Sequence, residues 1–488
     1  MVNKDLKDSL ELLDSELKKH GLSRRDALKV AGLGSAAFLL GGTEVEAATS
    51  ARASDVKAKI VIVGGGLAGV ATASRLTSSL SNPDITIIEP NPKSVSYQPG
   101  NTLIAAGVYN KSDIMYDTKD YLPKGIKHIA DFAVEFDPDN NKLTTKSGEV
   151  ITYDFLIIAT GLKLDFGSIK GLESIEETYT VGDSSQILNT FGNSGACSIY
   201  TVDGAVATWN NMQKFVNEAK AGKKVKGLFT DPKTAIKCGG APKKIMYLTH
   251  ARLVEAGARA NTELLLNSSG GKMFGIPEYH DAILEQFKVR DFKWNYAHSL
   301  TAVDLANKTA TFERSWKEKG EYDEDLEEYT MVTKTEDLDF DFDFLHITPP
   351  MKAPDEIGNS PLGSAKGWVP VDKESLQHVK YANVFAIGDI AAVPMGKTGG
   401  SVRKQYKALV DNILSAMEGK PLTSKYDGYT VCPLITDLGK VMLAEFDWSG
   451  KPTPSFPLDP TQERYIWWLL KVYMLKPMTM HGLLSGKA

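Results

Sequence analysis

The chain is 488 residues long, with 42% hydrophobic residues, 24% charged residues and a formal net charge of −5. This length predicts more than one domain, and the composition is that of a globular protein with a large core. The weakly acidic balance gives no reason to expect a nucleic-acid partner. The three cysteines and eight histidines form no C-x-x-C, C-x-x-C-H or H-E-x-x-H pattern, so we predict no bound metal and no covalent haem.

The N-terminal segment has the pattern of an export signal. Arg24 and Arg25 form a twin-arginine pair, residues 30–40 are apolar or small, and small residues continue to Ala48. The apolar stretch is too short to span a membrane, which takes roughly 20 residues. We therefore predict that residues 1–48 are a Tat-type signal and that the mature protein is periplasmic. The alternative is a cytoplasmic N-terminal helix with a chance arginine pair.

A glycine turn follows the first predicted strand. The β-branched run at residues 59–63 leads into Gly64-x-Gly66-x-x-Gly69, with Ala68 inside the turn, and residues 70–76 have the composition of a helix. The next predicted strand, residues 85–88, ends on Glu89, an acid placed to accept from a ribose hydroxyl. This order predicts a dinucleotide site, because the glycines and the helix N-terminus can approach a pyrophosphate closely. The alternative is a glycine-rich turn in an ordinary α/β core.

Further stretches of this half have the features of ligand-facing backbone. Gln98 lies in Tyr97-Gln98-Pro99-Gly100, which a stretch of apolar and small residues follows to Gly107, and we expect this loop to pass close to a ligand. Strands are predicted at residues 127–136 and 151–161, with a hairpin turn at residues 138–141 between them. The second strand ends in Thr160-Gly161, where a small residue and a glycine leave room for a bulky group.

A second, similar unit is predicted from about residue 223. Strands at residues 225–230 and 234–237 lead to a turn at Cys238-Gly239-Gly240, a helix at residues 245–256 and a strand that ends on Asn267. The turn lacks a third glycine, and no carboxylate follows the strand. This unit therefore resembles a dinucleotide fold that has lost its NAD site. The acidic stretch at residues 316–344 is predicted to be a solvated face or an inserted hairpin.

The C-terminal third of the chain is predicted to complete the first unit. A predicted buried strand ends at Gly388, which allows close approach to a ligand, and at Asp389, which can bind the ligand's hydroxyl groups. Lys397 precedes a predicted helix whose N-terminus would face the same ligand. A strand pair is predicted at residues 428–447. The tail at residues 464–481 mixes tryptophan, tyrosine, leucine and lysine, which is typical of a helix lying in the membrane interface. An ordinary amphipathic core helix is the alternative.

The glycine turn, Glu89, Thr160-Gly161 and Gly388-Asp389 together resemble the flavoproteins that contain two dinucleotide-binding folds. This resemblance implies FAD, and it places Ala133 in a strand beside the adenine. We therefore predict an α/β protein with two Rossmann-like domains, the second without NAD, and a C-terminal membrane-associating region. The predicted segments are residues 57–165 and 351–420 for the FAD domain, 166–350 for the second domain and 421–488 for the C-terminal region.

Five longer motifs are similar to the sulfide:quinone oxidoreductase family, in the branch that includes mitochondrial enzymes. They are Tyr97-Gln98-Pro99, Lys237–Leu248, Ile347–Met351, Tyr426–Leu434 and Leu443–Asp447. The resemblance implies that Cys238 and Cys432 form a redox pair, that hydrogen sulfide is oxidised there, and that FAD carries two electrons to a membrane quinone. It also implies a protein-bound persulfide whose sulfur passes to an acceptor such as a thiol or sulfite. Lys244 and Lys471 match positions that could guide protons or an acceptor, whereas Cys197 is expected to be a spare thiol.

Three other functions are alternatives to this one. The flavoprotein subunit of flavocytochrome c sulfide dehydrogenase also carries a cysteine pair, but it would pass electrons to a haem partner. A type II NADH:quinone reductase is disfavoured, because we expect no NAD(P)H site in the second unit. In a non-catalytic docking protein, Cys238–Cys432 would be a structural bridge and the flavin would only stabilise the fold.

Overall fold

The computed structural model describes residues 54–323 and 327–487, together with residues 11, 14, 15, 18 and 19. The twin-arginine pair and the apolar stretch of the predicted export signal lie outside the described residues. By its internal contacts the chain divides into two compact units. Among the described residues, unit 1 comprises those up to residue 100, residues 112–162 and those from residue 353 onward, and unit 2 comprises those of residues 101–111 and 163–352.

The core of unit 1 is a five-stranded parallel sheet. Its strands are, in spatial order, Val384–Ala386, Phe155–Ile158, Lys59–Val63, Asp84–Ile88 and Lys127–Ile129. The central strand is buried from Ile60 to Val63, which explains why its sequence is continuously apolar rather than alternating. The helices Leu67–Ser79 and Gly399–Met417 contribute buried side chains to this core, and a short helix spans Asp355–Gly358.

The strands predicted at residues 127–136 and 151–161 are each divided between two sheets. Lys127–Ile129 joins the parallel sheet, whereas Ala133–Asp137 belongs to an antiparallel sheet with Lys142–Thr145 and Val150–Thr152. The chain turns at Asp131, whose carboxylate accepts hydrogen bonds from the backbone N–H groups of Phe132 and Ser147. An alternating sequence pattern could not reveal this turn, because both sheets use the same period of two. The predicted hairpin turn at residues 138–141 is confirmed.

Unit 2 contains a second five-stranded parallel sheet. Its strands are, in spatial order, Ala196–Cys197, Phe344–His346, Val225–Asp231, Thr262–Ser268 and Lys293–Asn295. Its helices are Ser185–Phe191, Val202–Lys220, Ala241–Glu255 and Pro277–Val289. The prediction of a strand at residues 234–237 is wrong. Thr234 Oγ1 accepts a hydrogen bond from Met351 N and Lys237 N donates one to the Met351 sulfur, so this segment has side-chain partners instead of a neighbouring strand.

The acidic stretch of unit 2 forms an inserted hairpin, as one of the two sequence interpretations predicted. Its long strands are Thr309–Asp323 and Glu328–Asp341, and His298–Asp304 completes a three-stranded antiparallel sheet. Short strand pairs link Lys163–Leu164 with Met351–Lys352 in unit 2, and Lys93–Ser94 with Tyr116–Asp117 in unit 1. A short helix, Pro99–Ile104, begins just after Gln98.

The C-terminal part of unit 1 begins with the predicted strand pair, Thr430–Asp437 and Lys440–Phe446. The tail then alternates between α-helix and π-helix over Tyr465–Leu469, Leu470–Met474, Leu475–Pro477 and Met478–Leu483. Trp467 and Trp468, which the interfacial-helix prediction treated as headgroup anchors, are buried, because they pack within unit 1; the Trp467 ring lies 4.8 Å from that of Phe456. Among the residues described, no helix has the length and apolar character needed to cross a bilayer.

Candidate active site

The glycine turn of unit 1 brings the first strand and helix very close together. Gly64 has a φ of +110°, and a Cβ there would lie 2.4 Å from the Ala159 carbonyl oxygen. A Cβ on Gly69 would lie 1.8 Å from the Gly64 carbonyl oxygen. Around Gly66, by contrast, a Cβ would meet no atom within 4 Å. The turn therefore leaves open space at the N-terminus of the helix Leu67–Ser79, where a pyrophosphate can be bound.

Glu89 lies directly beside this turn and is 8% exposed. Its Oε2 accepts a hydrogen bond of 2.6 Å from Gly65 N, and its Oε1 accepts from the backbone and side-chain nitrogens of Asn91. These bonds fix the carboxylate at the end of the second strand. Ala68, in the same turn, is buried at 3.2 Å from the Cβ position of Gly388, so two of the predicted cofactor motifs are in contact within unit 1.

Several polar atoms of unit 1 are buried without a partner in the described structure. The Thr160 hydroxyl and the Gln405 side-chain nitrogen make no hydrogen bond, although Gln405 Oε1 accepts one of 3.1 Å from Gly388 N. Gly161 has a φ of +70° and open space where a Cβ would lie. A polar cofactor bound in the open space at Gly66 and Gly161 could form hydrogen bonds with these unpaired buried groups. The residues present therefore fit FAD.

Lys397 supplies a buried cation to the same unit. Its ammonium donates to the carbonyl oxygen of Asp389 and lies 3.8 Å from the centroid of the Trp368 ring. Burial lowers the pKa of Lys397 to about 8, and the nearby Asp389 carboxylate partly opposes this shift. The helix Gly399–Met417 begins two residues later, with Thr398 as its N-cap. The lysine and the helix N-terminus therefore lie close together in the chain, and their role toward the cofactor stays a prediction.

The two remaining predicted cofactor residues also lie in unit 1. Gln98 is half-buried in a turn immediately before the helix Pro99–Ile104. Ala133 is half-buried at the start of the strand Ala133–Asp137. Their roles in binding FAD stay predictions.

Cys238 lies in unit 2 with an unusual backbone conformation. Its φ is +55°, in the left-handed region that non-glycine residues seldom adopt and that is often found at functional sites. Its carbonyl oxygen accepts a hydrogen bond of 2.7 Å from Ala241 N, in the first turn of the helix Ala241–Glu255. The half-buried sulfur accepts from Lys244 Nζ at 3.2 Å. A thiolate at this position has an ammonium and a helix N-terminus to stabilise it.

A buried ion pair, which the sequence did not reveal, occupies the same end of unit 2. Lys243 is 2% exposed, and its ammonium lies 3.2 Å from the carboxylate of Asp231. The hydroxyl of Ser268 donates to the same carboxylate at 3.3 Å. Asp231 and Ser268 end neighbouring parallel strands, so this network lies at the strand ends where a dinucleotide fold usually receives its ligand. The sequence feature that could have indicated this ion pair is the adjacent pair Lys243-Lys244, of which the sequence analysis assigned a role only to Lys244.

Cys432 lies in unit 1, in the strand Thr430–Asp437, and is 4% exposed. The next residue, Pro433, accepts a hydrogen bond of 3.0 Å from the ammonium of the fully buried Lys471. The Lys471 carbonyl in turn accepts one of 2.5 Å from the Tyr97 hydroxyl. Three of the motifs that the sequence singled out separately are therefore hydrogen-bonded to each other. Tyr97 is part of one of these motifs, and its contact with Lys471 leaves no pattern in the sequence because the two residues are far apart in the chain.

Cys197 differs from the other two cysteines in its surroundings. It is 1% exposed, its thiol donates to the Leu345 carbonyl at 3.5 Å, and burial raises its pKa to about 12. Such a thiol holds its proton and is a poor nucleophile. All three cysteines are free thiols in the structure, and the predicted redox residues Cys238 and Cys432 belong to different units. Their pairing therefore stays a proposal.

The parallel sheet of unit 1, its glycine turn and the open space beside that turn define a dinucleotide-binding flavoprotein. In agreement, residues 58–191 match the family model of the pyridine nucleotide-disulphide oxidoreductases. The chain is 36% identical over 428 residues to the mitochondrial sulfide:quinone oxidoreductase of Mus musculus, covering 88% of this chain and 86% of that protein. The corresponding Dictyostelium discoideum protein is also 36% identical, over 431 residues, with the same coverage. The chain belongs to the sulfide:quinone oxidoreductase family.

A solved structure supports the same fold. The sulfide:quinone oxidoreductase from the hyperthermophilic bacterium Aquifex aeolicus covers 88% of this chain and 92% of its own, with a TM-score of 0.68 at 22% identity. The predicted family, the α/β dinucleotide-binding flavoprotein fold and FAD as the cofactor are thereby confirmed.

Proposed function

We propose that this protein oxidises hydrogen sulfide and passes two electrons through FAD to a membrane quinone. The relatives that match most of the chain are named for this reaction. The observation that carries the proposal is the Cys238 sulfur, held in a left-handed turn 3.2 Å from the buried Lys244 ammonium. A cysteine so placed can act as a thiolate leaving group when a disulfide is cleaved and as a thiolate nucleophile when the disulfide forms again. Sulfide oxidation at a disulfide requires both.

The sulfur chemistry uses Cys238 and Cys432 as the redox pair. Hydrosulfide attacks the Cys432 sulfur of a Cys238–Cys432 disulfide, a new S–S bond forms, and the old one breaks toward Cys238. The products are a persulfide on Cys432 and a thiolate on Cys238, so the sulfide sulfur is oxidised and the disulfide is reduced. A thiol or sulfite then accepts the outer sulfur. FAD, when bound, supplies the two-electron oxidant that restores the disulfide and the connection to quinone.

The two buried lysines support the two cysteines differently. Lys244 stabilises charge on the Cys238 sulfur directly, through a charge-assisted hydrogen bond. Lys471 contacts the backbone one residue after Cys432, so it fixes the position of that cysteine. We propose that Lys244 also attracts the anionic hydrosulfide or acceptor, because its ammonium is in hydrogen-bond contact with Cys238.

NAD(P)H has no part in the proposed reaction. In unit 2 the strand whose end would carry the ribose-binding acid is Thr262–Ser268, and it ends on Asn267 and Ser268 instead of a carboxylate. The sequence there also lacks the third glycine of a pyrophosphate-binding turn. Addition of NADH or NADPH to the anaerobic protein should therefore leave the flavin oxidised.

The choice of electron acceptor separates the proposed function from its nearest rival. We expect sulfide to bleach the flavin absorbance anaerobically, and a soluble quinone, but not cytochrome c, to restore it. Rapid reoxidation by cytochrome c alone would favour the flavocytochrome c type of sulfide dehydrogenase. A flavin that sulfide never bleaches would favour the non-catalytic docking protein.

The C-terminal tail supports docking at a membrane surface. Around the buried Leu469 and Met474 lies a small apolar cluster, separate from the main core, whose other members are half-buried: Tyr465, Ile466, Leu470, Tyr473 and Met478. Such a face can insert shallowly into the headgroup layer. Leu470→Glu should lower sedimentation with lipid vesicles at least several-fold. Val289→Glu, at an 83% exposed residue outside the tail, is the matched control and should sediment as the original protein does.

We further propose that residues 1–48 direct Tat export, which leaves the protein at the periplasmic face of the cytoplasmic membrane. Replacement of Arg24 and Arg25 by lysine should trap the unprocessed chain in the cytoplasm. N-terminal sequencing of the exported protein should find a start near residue 48. An intact N-terminus on active, membrane-bound protein would contradict the export proposal and leave the proposed reaction untouched.

A further inference from the structure

The outer part of the inserted hairpin in unit 2 is a ribbon of only two strands. The third strand of this sheet, His298–Asp304, pairs with the hairpin only as far as Arg314, so residues 315–323 and 328–335 pair with each other alone. Every residue from 328 to 337 is exposed, which means that neither face of this strand is covered. A ribbon of two strands is at best marginally stable in water, and further strands stabilise it.

The ribbon also exposes large apolar side chains. Of the nine large hydrophobic residues that are exposed in the described part of the chain, four lie here and are between 42% and 54% exposed: Tyr322, Tyr329, Met331 and Val332. The rings of Tyr322 and Tyr329 lie 5.1 Å apart, and the Lys319 ammonium lies 4.6 Å from the centroid of the Tyr329 ring. Such a cluster of apolar groups is typical of an interaction surface.

The two edges of the ribbon differ in how readily they can accept another strand. The first strand of the hairpin bulges between Lys319 and Tyr322, and four of its five residues 317–321 are charged. Bulges and charges protect an edge against pairing. The second strand has no such bulge, and its residues 329–333 are all uncharged. No other described strand pairs with its outer edge, so its outward-facing N–H and C=O groups can receive a strand.

We propose that the second strand of the hairpin, Glu328–Asp341, pairs antiparallel with the same strand of a second copy of this chain. Each ribbon of two strands would thereby become part of one sheet of four strands. The apolar side chains at residues 329, 331 and 332 would gain neighbours from the second copy. The paired segment is short, and small interfaces belong to weak, transient complexes, so the dimer should dissociate on dilution.

Charge complementarity selects one register for this pairing. With Met331 opposite its own counterpart on a two-fold axis, Glu328 of each copy lies opposite Lys334 of the other, and the favourable pair forms twice. An axis at Val332 would instead place Glu328 opposite Glu336, and like charges directly opposite each other destabilise a sheet. The sequence of the strand is therefore complementary to itself in the first register.

Sedimentation velocity of the full-length, FAD-loaded protein in mild detergent tests the inference. We expect a monomer–dimer equilibrium that shifts toward the monomer on dilution. Met331→Lys puts two ammonium groups opposite each other at an exposed position, so it should raise the dimer dissociation constant about tenfold or more without disturbing the monomer. The matched control is Val254→Lys, at a residue of unit 2 that is also 54% exposed, and it should dimerise as the original protein does.

Charge reversal tests the register. Glu328→Lys and Lys334→Glu each place like charges opposite each other, so each variant alone should be largely monomeric. A mixture of the two variants restores both pairs of opposite charge and should form dimers, and so should the double variant. All of these variants should bleach with sulfide as the original protein does, because the pairing takes no part in the sulfur chemistry.

Three results would overturn the inference. The first is a protein that is monomeric at every concentration, and the second is a dimer that Met331→Lys leaves intact. The third is a failure of the two charge-reversed variants to associate when they are mixed. A monomeric protein whose sedimentation with lipid vesicles falls in Met331→Lys would identify lipid, instead of a second copy, as what covers this strand.

Discussion

The ammonium of Lys244 lies 3.2 Å from the sulfur of Cys238, six residues earlier in the chain. The left-handed backbone at Cys238 and the helix that begins at Ala241 make this contact possible, since the chain turns back over its own helix N-terminus. Lys244 is 1% exposed, so the contact is shielded from bulk water and is stronger than a surface interaction. The relationship ties the reactivity of Cys238 to the buried cation of Lys244.

Replacement of this cation should make Cys238 less reactive. Lys244→Met keeps the length and burial of the side chain but removes the charge that stabilises the thiolate, so labelling of Cys238 at neutral pH should slow about tenfold or more. Labelling kinetics followed by peptide mass spectrometry would measure this. Lys288→Met, at a lysine paired with Glu285 on the surface, is the control and should label at the original rate. Equal rates for both variants would show that Lys244 does not act on Cys238.

Lys471 should matter for stability as well as for Cys432. Lys471→Met leaves the half-buried carbonyl of Pro433 without its side-chain donor, and an unsatisfied group shielded from water costs up to about 1–3 kcal/mol. Urea unfolding followed by tryptophan fluorescence should show a lower midpoint. Lys440→Met, at an exposed lysine of the same strand pair, should unfold at the original midpoint. An unchanged midpoint for Lys471→Met would mean that the hydrogen bond contributes nothing.

The open space around Gly66 predicts a variant that folds without its cofactor. In Gly66→Val the new side chain meets no protein atom close to its Cβ, but it occupies the expected path of the pyrophosphate. The purified protein should therefore carry little FAD, while its circular dichroism and unfolding temperature match those of the FAD-free original. Gly64→Val should instead fail to fold, because its Cβ would collide with the Ala159 carbonyl. Full FAD occupancy in Gly66→Val would contradict the placement of the cofactor.

Lys397 predicts a stability change at alkaline pH in the FAD-free protein. Its folded pKa of about 8 lies below the ordinary lysine value of 10.5, so the unfolded chain binds more protons between these limits. Stability should accordingly rise from pH 8 to about 10.5 relative to Lys397→Met, by roughly 3 kcal/mol in total. Below pH 8 the difference between the two proteins should be constant. Parallel pH profiles across the whole range would mean that Lys397 is not desolvated.

The sequence predicted best what is encoded locally. The strand at residues 59–63, the turn at Gly64 and the following helix adjoin in the chain, so one pattern specifies all of them. The hairpin turn at residues 138–141 and the strand pair around Cys432 were predictable for the same reason.

Contacts between distant segments could not be read from the chain. The Lys243–Asp231 pair and the bond from Lys471 to Pro433 join residues that only the folded structure brings together. The tail illustrates the same limit, because its amphipathic pattern does not say what covers the apolar face. Trp467 and Trp468 are covered by unit 1 itself, which left the neighbouring half-buried side chains as the candidates for lipid contact. The conformation of Cys238 was equally invisible, since no pattern marks a left-handed cysteine.

The most direct test of the account is the initial rate of flavin bleaching by sulfide under anaerobic stopped flow, compared across the three cysteines. Cys238→Ser and Cys432→Ser should each bleach at least a hundredfold more slowly, because either change removes the disulfide that hydrosulfide attacks. Cys197→Ser should bleach at the original rate, since its thiol is buried and protonated. Normal bleaching in either of the first two variants would contradict the assignment of Cys238 and Cys432 as the redox pair.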